Sequence, residues 1–69
     1  MLTDFDKDVD KLARIANGYI SEGAMYEEIT TGNWFDYEVR SILDRYPEYP
    51  GDKERLKKFV AIKIKELMD

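Results

Sequence analysis

The sequence predicts a small all-α protein, a bundle of about four helices. Three observations support this fold class: apolar residues recur every three to four positions in long segments, glycines and prolines separate those segments, and strong helix formers fill the last quarter of the chain. The predicted helices cover roughly residues 4–20, 24–30, 34–46 and 53–68. With 69 residues, the chain has room for a single helical domain, 1–69, and too little length for two independent cores.

The first helix has the clearest amphipathic pattern. Its apolar face carries positions at helical spacing, which are Phe5, Val9, Leu12, Ala16 and the pair Tyr19 and Ile20. Thr3 or Asp4 can cap its N-terminus, and aspartates fill its first turns, where the helix dipole favours negative charge. Gly18 is compatible with a left-handed cap or with the helix interior. We expect the helix to continue, because Tyr19 and Ile20 extend the apolar face.

Two helices bounded by glycine and proline are expected next. The short helix over 24–30 should end at Gly32, since glycine suits the left-handed position just past a helix end. Asn33 is then the expected N-cap of a third helix, which Pro47 stops. The predicted buried face of this third helix consists of Phe35, Val39, Ile42, Leu43 and Tyr46.

The fourth helix follows a rigid turn that contains two prolines, and Asp52 is placed to cap it. Its predicted core face consists of Leu56, Phe59, Val60, Ile64 and Leu67. An alternative exists, because Val60, Ile62 and Ile64 alternate with other residues as they would in a half-buried strand. We expect a helix, since residues 52–58 begin one and a lysine near a helix end can extend its ammonium group to water.

The residue types exclude most of the chemistry found in small domains. The chain has no cysteine and no histidine, so disulfides, thiolate nucleophiles, imidazole bases and ordinary zinc or iron sites are not expected. Segment 4–10 has the acidic spacing of part of a calcium loop, but the loop's glycine is missing and Ile15 stands where its glutamate belongs. The four glycines are too scattered for a phosphate-binding loop. We therefore predict no enzyme activity, no metal and no cofactor.

The predicted location is the cytoplasm. No apolar run approaches the roughly 18–20 residues that cross a bilayer, and the N-terminus lacks the basic and hydrophobic features of a signal peptide. We therefore expect no membrane contact.

Charge is unevenly distributed along the chain. Residues 1–48 carry eleven acidic and five basic residues, a balance of −6, whereas residues 49–69 carry four acidic and six basic residues, a balance of +2. Between Ile15 and Val39 there is no lysine or arginine, and carboxylates alternate there with aromatic side chains. This stretch is the most informative part of the sequence for function.

An acidic surface with aromatic side chains suits a basic protein partner. Aromatic residues supply much of the binding energy of interfaces, and complementary charge speeds encounter. The candidate partner-binding residues are Glu22, Tyr26, Glu27, Glu28, Trp34, Asp36, Tyr37 and Glu38.

The alternative interpretation of this stretch is structural. The carboxylates would then form a solvated face, and Tyr19, Tyr26 and Phe35 would belong to the core, which we favour for these three rings. Trp34 and Tyr37 lie, by helical angle, opposite the predicted buried face of the third helix. Either another helix covers them or they are exposed anchors for a partner.

The leading hypothesis is a small acidic binding module or inhibitor that occludes a basic surface of a protein partner, including one that itself binds nucleic acid. In size, acidity and lack of a catalytic centre, the chain resembles the small accessory proteins of phages and mobile elements. Two alternatives are a regulatory nucleic-acid-binding protein that uses the basic last helix and a structural homo-oligomeric subunit. A helix-turn-helix around Gly32 is disfavoured, because the second helix would bring aromatic and acidic residues to the phosphates.

Overall fold

The computed structural model describes residues 3–69 and contains four α-helices joined by short turns. They are α1 (Asp4–Ser21), α2 (Tyr26–Thr31), α3 (Asn33–Arg45) and α4 (Lys53–Met68). The predicted all-α fold class is confirmed, and the ends of each helix lie within two residues of the prediction. Helix α4 passes without interruption through residues 60–65, so the strand alternative is wrong. Within residues 3–69, no helix combines the length and apolarity needed to cross a membrane.

Side chains cap the first and last helices as the sequence predicts. The hydroxyl of Thr3 accepts a hydrogen bond from the backbone N–H of Asp6 at 3.1 Å, and the Asp6 carboxylate accepts one from the Thr3 N–H at 3.3 Å. This reciprocal pair is a capping box. At α4, the Asp52 carboxylate accepts a hydrogen bond from the Arg55 N–H at 2.9 Å. Each cap satisfies backbone donors that the first helical turn leaves unpaired.

At the junction of α2 and α3, helix α2 ends at Gly32 as predicted, but the predicted left-handed backbone of Gly32 and the predicted N-cap at Asn33 are wrong. Gly32 has φ −81° and ψ 165°, which is extended rather than left-handed backbone, and it is itself the N-cap position of α3. Asn33 therefore lies inside the helix and makes no cap. Glycine is needed at position 32 for space, because a Cβ atom there would lie 2.9 Å from the carbonyl oxygen of Glu28. The left-handed glycine is Gly23, with φ 116°, in the turn between α1 and α2.

The core lies between α1, α3 and α4. The buried side chains are Val9, Leu12, Ala13, Ala16, Phe35, Val39, Ile42, Leu56, Val60 and Ile64. Ala13 and Ala16 are fully buried on α1, and side chains this small let a neighbouring helix approach closely. Helix α2 has no fully buried residue, but Tyr26 and Ile29 pack against the core from outside. Helix α2 thus packs with one side against the core and exposes its other side to solvent.

A polar contact joins the start of α1 to the end of α3. The Tyr46 hydroxyl donates a hydrogen bond to the Asp8 carboxylate at 2.7 Å, and the Arg45 guanidinium reaches the same oxygen at 3.0 Å. The Asp8 hydrogen bond raises the pKa of the Tyr46 hydroxyl. The Tyr46 ring also meets Phe5 edge to face at 5.5 Å, and Phe5 stacks on Tyr49 at 5.1 Å. These contacts hold α1 and α3 antiparallel and so place the end of α1 beside the start of α3.

Candidate functional site

The carboxylate of Asp36 is engaged within the chain. Its Oδ1 atom lies 2.8 Å from Nζ of Lys57 and 2.9 Å from Nζ of Lys53, both on α4, and Arg40 is 4.0 Å from Oδ2. The hydrogen bonds from Lys57 and then Lys53 lower the pKa of Asp36 from 3.8 to about 2. Asp36 is a tether between α3 and α4, and we leave it out of the proposed partner surface.

The three candidate residues of α2 take different positions. The Tyr26 hydroxyl donates a hydrogen bond to the carbonyl oxygen of Ala61 at 3.4 Å, and Nζ of Lys65 lies 5.2 Å from the centre of the Tyr26 ring. Tyr26 therefore fastens α2 to α4, in agreement with the expectation that it packs inward. Glu27 and Glu28 are exposed and form no ion pair within residues 3–69.

Glu22 and Trp34, two of the candidate residues, come together in a groove where the end of α1 meets the start of α3. We call this site the aromatic groove; it has a volume of about 420 Å³ and is lined by Tyr19, Glu22, Ala24, Ile29 and Trp34. The Tyr19 and Trp34 rings meet edge to face, with centroids 5.3 Å apart and planes at 88°. None of the basic residues between positions 3 and 69 lines the groove. Two of its lining side chains are therefore perpendicular rings, and Glu22 is its only charged lining residue.

Trp34 and Tyr37 differ in exposure, so both interpretations of this pair apply in part. Trp34 is half-buried, because Tyr19 of α1 covers one part of it and the Phe35 ring lies 6.5 Å away on its own helix. Tyr37 projects into solvent and is 71% exposed. The Trp34 indole is therefore held by neighbouring rings and remains partly accessible, whereas most of the Tyr37 side chain is exposed to solvent.

Further residues extend the face of the aromatic groove along each helix. Ile15 precedes Tyr19 by four residues on α1, and Glu38 follows Trp34 by four residues on α3. Residues four apart share a helix face, so Ile15 and Glu38 continue the groove toward the middle of the bundle. Ile15 is exposed, Glu38 is partly exposed, and neither Glu22 nor Glu38 forms an ion pair in the described part of the chain.

Tyr19 is the main residue of the site that sequence reasoning misplaced. We expected it in the core, but it is 45% exposed. At about 100° per residue, Ile20 falls near the middle of the buried arc of α1 and Tyr19 falls at its edge. If the buried face had been defined by Val9, Leu12 and Ala16 alone, the Tyr19 ring would have been predicted at the boundary between the core and the solvent. Ile29 and Ala24 had no such signal, because only the fold brings α2 and its preceding turn to this groove.

The site must be interpreted from its own geometry. Comparisons with protein-family models, with curated proteins and with solved structures find no match to the chain. No group of three or more potential metal ligands occurs within residues 3–69. The groove combines two aromatic rings, apolar side chains and Glu22, which has no ion-pair partner among the described residues, and this combination is suited to binding a cationic group.

Proposed function

We propose that this protein is a small acidic binding module that docks onto a basic surface of another protein through the aromatic groove. One observation carries the proposal: Tyr19 and Trp34 form an accessible aromatic groove that is also lined by Glu22, which forms no ion pair within residues 3–69, with Glu38 on the adjoining turn. Aromatic side chains in a fixed position make good interface anchors, because little conformational entropy is lost when they are covered.

The distribution of charge also favours a basic partner. The groove lies in the part of the chain from Ile15 to Val39 that has no lysine or arginine, and the protein carries a net charge of −4. Glu22 and Glu38 form no ion pair in the part of the chain that the structure describes, so their negative charge is available to attract a positive surface and speed association. On a partner that binds nucleic acid, these carboxylates would take the place of phosphates, and the protein would then act as an inhibitor of that contact.

The size of the surface is sufficient for a specific interface. A standard interface covers about 800 Å² on each partner. The described surface totals 4948 Å², so such a patch takes about a sixth of it. The groove alone is smaller than that, and we expect the exposed Tyr37 and the outer side of α2, with Glu27 and Glu28, to form the rim.

Direct binding of nucleic acid through α4 has less support. Lys53 and Lys57 both contact Asp36, and the Lys57 side chain is only 19% exposed. Two of the six basic residues of this helix are therefore used inside the chain. The remaining cations must also overcome the repulsion between a protein of net charge −4 and the phosphates.

Quantitative affinity capture tests the proposal. We expect the immobilised double variant Glu22→Lys, Glu38→Lys to capture at least about tenfold less partner than the immobilised wild-type protein. The reason is that it places two cations at a site that requires anions. The measurement is label-based mass spectrometry of proteins captured from native host lysate at low and moderate salt.

The matched control is Glu54→Lys, Glu66→Lys, which makes the same change in net charge at two exposed positions of α4. This control should retain the partner. Equal recovery on both double variants would contradict the proposal, and so would equal loss on both, since net charge rather than the groove would then govern capture. Recovery of this chain alone would support the homo-oligomeric alternative instead.

A further inference from the structure

The walls of the aromatic groove have the geometry of a cation-binding corner. Tyr19 and Trp34 stand at 88° to each other and both line the same space, so a group inserted there can lie over the face of one ring while touching the other. The negative face of an aromatic ring attracts a cation that lies within about 6 Å of the ring centre. Ile29 and Ala24 line the rest of the groove and reduce its contact with water.

The chain's own cations do not occupy this corner. The two cation–π contacts within residues 3–69 are Lys63 over Phe59, both on α4, and Lys65 of α4 over Tyr26 of α2. No lysine or arginine lines the groove, and Glu22 makes no ion pair among the described residues. The space lined by Tyr19, Trp34 and Glu22 is therefore not filled by a described lysine or arginine, and a cation bound there would come from another molecule.

We infer that the aromatic groove receives the guanidinium group of an arginine side chain from the partner protein. This inference rests on the proposed function and names the group that the groove recognises. A guanidinium is planar, so it can stack on Trp34 or Tyr19 while it donates two parallel hydrogen bonds to the Glu22 carboxylate. In this arrangement the three methylene groups of the arginine would pack against the apolar side chain of Ile29, which lines the groove.

Arginine fits the corner better than the other cations that bind aromatic rings. A lysine ammonium is more strongly hydrated and has no flat face for stacking, so it would use the carboxylate and leave the rings largely unused. A quaternary ammonium group is bound by cages of several rings that surround it. In this groove only two rings meet, and they form an open corner. A quaternary ammonium has no N–H group, so it could not donate a hydrogen bond to the Glu22 carboxylate.

Trp34 is the only tryptophan of the chain and lines the groove, so its fluorescence reports directly on occupancy. The probe is N-acetyl-arginine methylamide, and its matched control is the neutral isostere N-acetyl-citrulline methylamide. We expect a saturable change in Trp34 emission with the arginine compound and at least about tenfold weaker binding of the citrulline compound. The lysine analogue and tetramethylammonium should fall between these two.

Two variants assign the contacts. Glu22→Gln keeps the size of the side chain but removes its charge, and Tyr19→Leu keeps an apolar side chain but removes the ring; each should weaken arginine binding at least several-fold. Glu54→Gln on α4 is the control and should leave it unchanged. Circular dichroism establishes that each variant has the helix content of the wild-type protein.

The outcomes separate this inference from the proposed function. Equal binding of the arginine and citrulline compounds, no saturable response to arginine, or tighter binding of lysine or tetramethylammonium would each overturn the arginine assignment. If capture of the partner still depends on Glu22 and Glu38 in any of these results, the proposed function stands and only the arginine assignment fails. If capture does not depend on them, the proposed function fails by its own test.

Discussion

Replacing Phe35 with alanine is expected to leave the protein largely unfolded at room temperature. Phe35 is the largest of the fully buried side chains, with 0% exposure, and it sits in the core from α3. Truncating a buried phenylalanine costs about 3–5 kcal/mol, because transfer energy is lost and a cavity remains. A core in a chain of this size supplies only about 3–5 kcal/mol of net stability. Far-ultraviolet circular dichroism and urea denaturation measure the loss.

Phe59→Ala is the matched control for this prediction. Phe59 was predicted on the core face of α4, but it is 36% exposed and lies outside the buried core, so the same truncation should cost about 1 kcal/mol and leave a cooperative transition. A Phe35→Ala protein that unfolds at nearly the wild-type urea concentration would show that the side chain is not in the core.

Acidification should weaken the protein through Asp36. The two lysine hydrogen bonds lower its pKa from 3.8 to about 2, so the folded protein binds this proton more weakly than the unfolded chain. The resulting stabilisation is present above pH 3.8 and is lost as the pH falls to about 2. In Asp36→Asn this contribution is absent, so the difference in urea midpoint between wild type and variant should be largest above pH 3.8 and shrink toward pH 2.

Asp44→Asn is the control for the acid experiment, since Asp44 is exposed on the same helix and forms no ion pair in residues 3–69. Its urea midpoint should follow that of the wild-type protein throughout. A constant difference between Asp36→Asn and wild type over the whole pH range would contradict the assignment of Asp36 as a tether between α3 and α4.

The helices could be predicted from the sequence because their signals are local. The spacing of Val9, Leu12 and Ala16 defines one face of α1 without knowledge of the rest of the chain. Asp52 caps α4 through a backbone donor only three residues away. The error at Gly32 has a physical reason: the sequence shows that a glycine is present, but it does not tell whether backbone angle or space requires it. At position 32 the requirement is space, because a Cβ atom would lie too close to the carbonyl oxygen of Glu28.

The candidate site could be predicted only in part, because its properties depend on contacts between distant residues. Asp36 forms ion pairs with Lys53 and Lys57, which lie on another helix. The sequence near Asp36 therefore gives no sign of these ion pairs. For Trp34 and Tyr37, helical angles give the direction of each ring but not the helix that covers it. The absence of positive charge from Ile15 to Val39, in contrast, is a property of the sequence itself, and this segment supplies the residues of the aromatic groove.

The proposed function requires that the indole of Trp34 be accessible to solvent in a negative local field, a property that ionic quenching of its fluorescence measures. Caesium and iodide should be compared at constant ionic strength, each relative to free N-acetyltryptophanamide. We predict that the positive ion quenches Trp34 more effectively, that Glu22→Lys, Glu38→Lys reverses the preference, and that Glu54→Lys, Glu66→Lys does not. Quenching by neither ion, or equal preference in the two double variants, would contradict the account.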